Sequence, residues 1–95
     1  MKHSRLFTGA SQDWYIDSAA TRHMCSSREM FSNIRFANTN VTVANRQIMP
    51  CEGLGGVVLD IDSTRVTLTE VMLVPDVSCN LISVSRMADR LCYYL

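Results

Sequence analysis

Trp14-Tyr15-Ile16-Asp17-Ser18-Ala19-Ala20-Thr21 is the stretch that decides how this chain is interpreted. Three aromatic or aliphatic residues lead into an acidic residue and a hydroxyl, which predicts a strand over residues 14–17 that ends in a loop. Burying a carboxylate is costly unless hydrogen bonds or a shared proton compensate it, so an apolar approach to Asp17 is unusual for a surface turn. Asp-Ser after a strand is nevertheless common turn chemistry, and both a plain turn and a catalytic site stay open at this point.

Composition predicts one small domain and excludes several classes of protein. The chain has 95 residues, 47% of them hydrophobic, with a formal net charge of zero. Nucleic-acid-binding modules usually carry a basic excess, so no nucleic-acid partner is expected. No apolar run reaches the length of a membrane span and no signal peptide is recognisable. We therefore expect a cytoplasmic protein without a membrane partner.

The cysteine spacing argues against a metal site. The four cysteines are far apart and form no Cys-x-x-Cys pair; they are Cys25, Cys51, Cys79 and Cys92. His23 lies two residues before Cys25, which is only half of a zinc ligand set. We expect no metal and no cofactor, cysteines that pack as small apolar residues, and a structural or surface role for His23 rather than that of a catalytic base.

Alternation of apolar and polar residues predicts a β-rich domain with one short helix. The first 13 residues lack such a pattern and are expected to be a flexible lead-in, which leaves residues 14–95 as the domain. Besides residues 14–17, strands are expected at residues 41–43, 48–61, 65–74 and 91–95, and the helix at 84–90. Gly53, Gly55 and Gly56 interrupt the second of these strands at positions that favour bulges.

Several segments together resemble one known family. Residues 14–21, followed by Arg22-His23-Met24, are similar to the signature of the protease domain in Ty1/copia-type retrotransposon polyproteins, which are relatives of retroviral proteases. Further segments resemble the same family in the same order, namely residues 41–45, 53–55, 71–76 and 80–85. The resemblance extends over residues 14–92. It implies an all-β fold, a small closed β-barrel of the retropepsin type with one short C-terminal helix, present as a homodimer.

The resemblance also implies an aspartic endopeptidase whose substrate is its own Gag-Pol-like polyprotein, in the cytoplasm within virus-like particles. Peptide hydrolysis by this route needs two carboxylates that share one proton, and activity at acidic or mildly acidic pH is expected. Only Asp17 has the required strand-to-loop setting, so the second carboxylate must be Asp17 of another copy. In the family, the position of Ser18 hydrogen-bonds across the pair of loops, and that of Ala19 approaches the paired carboxylates closely.

A flap over the cleft is implied at residues 41–58. Its tip would clamp an extended peptide through Ala44, Asn45, Arg46 and Gln47, and a tip at residues 53–56 is the alternative. Arg46 stands where the family often has glycine, so a turn that requires positive φ would be strained there.

One departure from the family pattern leaves a second function open. Ala19 replaces the usual glycine beside the carboxylates, and its methyl group would crowd them. The alternative is a catalytically silent retropepsin-like module for dimerisation or peptide binding. An unrelated small β domain with a chance Asp-Ser pair would instead be a monomer.

Overall fold

The computed structural model of the chain describes residues 3–6, 14–17, 20–43, 46–61 and 63–86. Within these residues there are seven strands, which are β1 (His3–Leu6), β2 (Trp14–Asp17), β3 (Met24–Cys25), β4 (Phe31–Thr42), β5 (Ile48–Ile61), β6 (Thr64–Leu73) and β7 (Asn80–Ser83). A 3-10 turn, Arg28–Met30, lies between β3 and β4. Residues 84–86 are helical directly after β7. The prediction of an all-β domain with one short helix is confirmed.

The strands form one sheet in the order β1-β2-β7-β3-β6-β5-β4. Three of them, β4, β5 and β6, are successive antiparallel neighbours joined by hairpin turns. The last strand, β7, is inserted between β2 and β3, parallel to the first and antiparallel to the second. This insertion places Ser83, late in the chain, directly beside Asp17.

The expected closed barrel is wrong for the described residues, because their sheet is open. β1 and β4 are its two edges, and a barrel requires the edge strands to pair. Most residues of β4 are exposed, and its pairing with β5 shifts register twice, as is common at sheet edges. Phe36 on β4 is 66% exposed, and the Arg28 guanidinium lies 4.8 Å from its ring centroid. A polar, bulged β4 therefore ends the sheet instead of closing it.

Two groups of buried apolar side chains hold the small domain together. The first contains Trp14, Cys25, Val57, Leu59, Leu68, Val71 and Ile82. The second contains Met24, Cys51, Met72, Val74 and Leu81. All four residues of β7 are buried, because strands flank it on both sides. The Asp17 strand is thus anchored in the core through Trp14 and through its pairing with β7.

The glycines of β5 allow β4 to approach closely. A Cβ atom on Gly55 would lie only 2.0 Å from the carbonyl oxygen of Asn33. The pairing of β5 with β6 shifts register just after Gly55, as the bulge prediction requires. Glu70, near the same irregularity, has a φ of 56°, and its carboxylate accepts hydrogen bonds of 2.8 and 3.0 Å from Nη2 of Arg35. Residues 53–56 are therefore paired strand and not a turn.

The chain ends were less predictable. β1 lies within the predicted lead-in and pairs antiparallel with β2, a strand that the sequence pattern does not reveal. The boundary at residue 13 itself stays a prediction, and the terminal strand at residues 91–95 lies outside the described residues. In the described part of the chain, no helix has the length and apolar character needed to cross a membrane.

Candidate functional site

Asp17 is the last residue of β2 and is buried, with 1% of its surface exposed. Its strand lies between β1 and β7, where Asp17 pairs with His3 on one side and with Ser83 on the other. Of the apolar residues before it, Trp14 is buried and Tyr15 and Ile16 are half-buried, as the apolar run of β2 predicts. The structure therefore places a carboxyl group at the end of a buried strand, which is the setting expected for a catalytic aspartate.

One main-chain hydrogen bond links Asp17 to the segment that follows it. The Ala20 amide donates to the carbonyl oxygen of Asp17 at 3.4 Å. The two residues between them, Ser18 and Ala19, lie outside the described residues. Their predicted roles therefore stay predictions.

Ser83 ties this loop to β7 through its side chain. Its hydroxyl donates to the carbonyl oxygen of Ala20 at 2.7 Å and accepts a hydrogen bond from the Arg86 amide at 3.3 Å. A third contact, 3.0 Å long, joins it to the hydroxyl of Ser85. Sequence reasoning did not single out Ser83. In the sequence, Ser83 is recognisable only as a hydroxyl residue after two apolar residues of a short strand. This feature becomes informative only once that strand is known to lie inside the sheet.

His23 holds the far end of the same loop. It is 4% exposed, and its Nδ1 accepts a hydrogen bond of 3.0 Å from the main-chain amide of Ser83. Its own carbonyl oxygen accepts from the Met72 amide at 2.9 Å. Burial, and secondly the charge of Arg86, lower the pKa of His23 to about 4, so its imidazole is neutral at physiological pH. The structural role expected for His23 agrees with this placement.

Asn80 fixes the other end of β7. Its side chain is 2% exposed, and its Oδ1 accepts hydrogen bonds from the amide and the hydroxyl of Ser26, at 2.9 and 3.3 Å. Polar groups therefore hold both ends of an otherwise apolar strand in place. These contacts fix β7 relative to His23 and Ser26, the residues on either side of β3. They therefore also fix the main chain of Ser83 beside Asp17.

β4 and β5 form a hairpin whose turn lies within residues 41–58, where a flap is predicted. This turn is closed by a hydrogen bond of 2.8 Å from the Val43 amide to the carbonyl oxygen of Gln47. Arg46 in this turn has a φ of 58° and is exposed, as is Gln47, whereas Ala44 and Asn45 lie outside the described residues. In the sheet, β7, β3 and β6 separate this hairpin from the Asp17 strand. The turn position is as predicted, while its contact with a substrate stays a prediction.

Among the described residues, no three His, Cys, Asp or Glu side chains are grouped closely enough to hold a metal ion. The two candidate ligands considered from the sequence are already engaged, since Nδ1 of His23 binds Ser83 and Sγ of Cys25 contacts the carbonyl oxygen of Ser27 at 3.4 Å. Burial raises the pKa of the Cys25 thiol, which disfavours the thiolate that a metal requires.

Comparison with known proteins identifies relatives of most of the chain. The family described as "Pol polyprotein, beta-barrel domain" matches residues 14–92. The chain is 31% identical over 84 residues to the retrovirus-related Pol polyprotein from transposon RE2 of Arabidopsis thaliana, covering 83% of this chain and 6% of that protein. It is also 31% identical over 85 residues to the corresponding RE1 polyprotein, covering 84% of this chain and again 6% of the relative. No solved structure matches the chain.

Proposed function

Since the chain belongs to the family of Pol polyprotein beta-barrel domains, we propose that it is the aspartic endopeptidase of a copia-type retrotransposon. Its substrate would be its own Gag-Pol-like polyprotein, cut in the cytoplasm within virus-like particles. The chain spans about 6% of the length of the curated relatives that it matches, as expected for one processing unit of a much longer polyprotein.

The observation that carries the proposal is the placement of Asp17. A carboxyl group ends a buried strand, the Ala20 amide donates to the main chain of Asp17, and β7 supports both this strand and Ala20. Rigid support of this kind is what general acid-base catalysis needs, because the carboxyl must hold its position relative to a water and a peptide carbonyl.

The proposed chemistry requires two copies of the chain. One Asp17 carboxylate acts as general base toward a water while the other, protonated, donates to the carbonyl oxygen of the scissile bond. A twofold axis beside Asp17 would supply both carboxyls from identical chains, and their titration would then belong to the pair. β1 supports this arrangement, because it is an edge strand next to Asp17.

The β4–β5 hairpin would act as the flap. Residues Ala44, Asn45, Arg46 and Gln47 at its turn would cover an extended peptide and exclude water from the cleft, with the main chain supplying strand-like hydrogen bonds. The exposed Arg46 would favour acidic residues in the bound peptide. The mechanism requires no metal or cofactor.

A second candidate function is a catalytically silent module for dimerisation or peptide binding. It is favoured by the burial of Asp17, which is 1% exposed in a single chain, and by Ala19 at the usual glycine position. A carboxyl that stays buried cannot activate a water.

A mixing experiment separates these candidates. Wild-type protein is incubated with a precursor polypeptide that spans its own flanks, at about pH 5, with increasing amounts of the Asp17→Asn variant. If both carboxyls of the site come from different chains, an equal amount of the variant should lower the cleavage rate to about half, and a threefold excess to about a quarter, because mixed dimers are inactive. Asp76→Asn, at an exposed position after β6, is the matched control. Because it keeps Asp17, its mixed dimers stay active, and an equal amount should about double the rate instead of halving it.

Each result decides between the candidates. Cleavage that Asp17→Asn suppresses in this proportion supports the two-chain site. A rate that is insensitive to the added variant places the active site in a single chain and overturns the proposal. No cleavage by a wild-type protein that sediments as a dimer supports the silent module, and restoration of cleavage by Ala19→Gly would then identify the methyl group as the cause.

A further inference from the structure

His23 occupies a place where main-chain pairing is interrupted. β3 pairs antiparallel with β7 through Met24 and Leu81, and continuing this register would put Arg22 opposite Ser83. β3 begins only at Met24, however, so no strand residue accepts from the Ser83 amide on that side. The His23 imidazole takes this place, with its Nδ1 at 3.0 Å from the amide nitrogen.

We propose that His23 is a positioning residue that fixes the loop after Asp17 against β7, and that it does so only while its imidazole is neutral. The inference rests on the proposed function in one respect, namely that this loop is the catalytic one. The hydrogen bond itself requires the neutral form, because Nδ1 must offer a lone pair to the Ser83 amide while the proton resides on Nε2. An imidazolium has a proton on both nitrogens and cannot accept.

Protonation would therefore affect more than one contact. The Ser83 amide would lose its acceptor, and a donor would face it inside a buried site. The same residue, Ser83, holds Ala20 by its hydroxyl, so the two anchors of the loop meet on one residue. Loss of the His23 contact should loosen the main chain that carries Asp17 and Ser83.

The charged groups around His23 favour its neutral form. Arg86, in the helical segment after β7, lowers the pKa of His23 together with burial. Arg22, its neighbour in the chain, is exposed, and β2, the strand of Asp17, is separated from β3 by β7. From β6, the main-chain amide of Met72 donates to the carbonyl oxygen of His23 at 2.9 Å. An enzyme with this arrangement would work at mildly acidic pH and lose its site geometry at strongly acidic pH.

Two substitutions distinguish the role of His23 as a hydrogen-bond acceptor from its role as a titrating group. His23→Asn keeps an acceptor, since Oδ1 branches from Cγ as Nδ1 does, and removes the titrating group. His23→Leu removes both. His3→Gln removes the only other histidine and serves as the control. Unfolding by urea is followed between about pH 4 and pH 7 through the fluorescence of Trp14, the single tryptophan, which is buried on the Asp17 strand.

We expect the unfolding midpoint of the wild type and of His3→Gln to fall as the pH drops, and that of His23→Asn to change much less. Imidazole nitrogen NMR of the wild type should show His23 neutral, with its proton on Nε2, down to about pH 5. In cleavage assays His23→Leu should lower kcat by about tenfold or more with little change in KM, and His23→Asn should restore most of it.

The proposal is overturned by a His23 proton on Nδ1, or by a His23→Asn midpoint that follows the wild-type dependence on pH. If His23→Leu does not fold, the wild-type NMR and the His23→Asn measurement still decide. If the wild type cleaves nothing, the proposed function fails while the NMR and unfolding results continue to test the role of His23 independently.

Discussion

Replacing Gly55 by alanine should disrupt the hairpin that the proposed flap depends on. The added Cβ would lie 2.0 Å from the Asn33 carbonyl oxygen and 2.9 Å from the Asn33 carbonyl carbon and the Ile34 Cα. These are main-chain atoms of β4, which cannot rotate away as a side chain can. To bring the new Cβ and the Asn33 carbonyl oxygen to an ordinary contact distance of about 3.4 Å, β4 would have to move by roughly 1 Å or more. Such a movement breaks the pairing of β4 with β5 at Ile34 and Gly55.

The magnitude follows from overpacking and from the hydrogen bonds lost. Forcing extra atoms into a close-packed contact costs about 1–3 kcal/mol, and one broken hydrogen bond adds about 1 kcal/mol, so we expect a loss of about 2–4 kcal/mol in the free energy of unfolding. The matched control is Gly56→Ala, whose Cβ would meet side-chain atoms of Asn33 at 3.2 Å and Ser32 at 3.5 Å, both able to move. The assay is urea unfolding followed through Trp14 fluorescence. Equal stability of the two variants, within about 0.5 kcal/mol, would refute the reasoning.

Three further predictions concern the turn, the histidine and the start of β7. Arg46→Gly should stabilise the protein by about 1 kcal/mol, because glycine adopts positive φ without strain, whereas Gln47→Gly should not; urea unfolding distinguishes them. Because the pKa of His23 falls from its ordinary value of 6.5 to about 4 on folding, the unfolded chain binds more protons between these values. Stability should be full above about pH 6.5 and should fall by up to about 3 kcal/mol as the pH drops to about 4; His23→Asn should remove this change. Asn80→Ala should cost about 1–3 kcal/mol, because the Ser26 amide loses its acceptor; unchanged thermal stability would contradict this.

The parts of the fold with a strong local pattern were predictable from the sequence. The apolar run of β2, the polar turn before β5 and the end of β6 just before Pro75 all lie where the pattern places them. β4 starts at Phe31, ten residues before the predicted strand. Its register shifts and exposed edge give it a burial pattern close to a period of three, so the period-two signal is absent.

The environment of the site was less predictable than its position. Asp17 was identified because an apolar run ends on it, and this signal is local. The hydrogen bonds of Ser83 and His23 join residues 60 positions apart in the chain, and they exist only because β7 inserts between two earlier strands. A polar residue in a short apolar segment is not distinctive until the strand order is known. The same residue sequence could equally form an exposed edge strand.

Because Asp17 is buried in the single chain, the two candidate functions differ in what dimerisation does to its carboxyl. The proposed hydrolysis requires a water and a second carboxyl beside the first, and a single copy that keeps Asp17 at 1% exposure would have neither. In a silent module the same carboxyl would be a structural group, and Asp17→Asn would alter stability without any effect on the activity of added wild type. In a protease, Asp17→Asn acts through the partner chain, because it inactivates a site to which a wild-type copy contributes half. Suppose that Asp17→Asn folds as stably as the wild type and suppresses cleavage in proportion to the fraction of mixed dimers. The physical cause is then that two Asp17 carboxyls from two chains meet in one site.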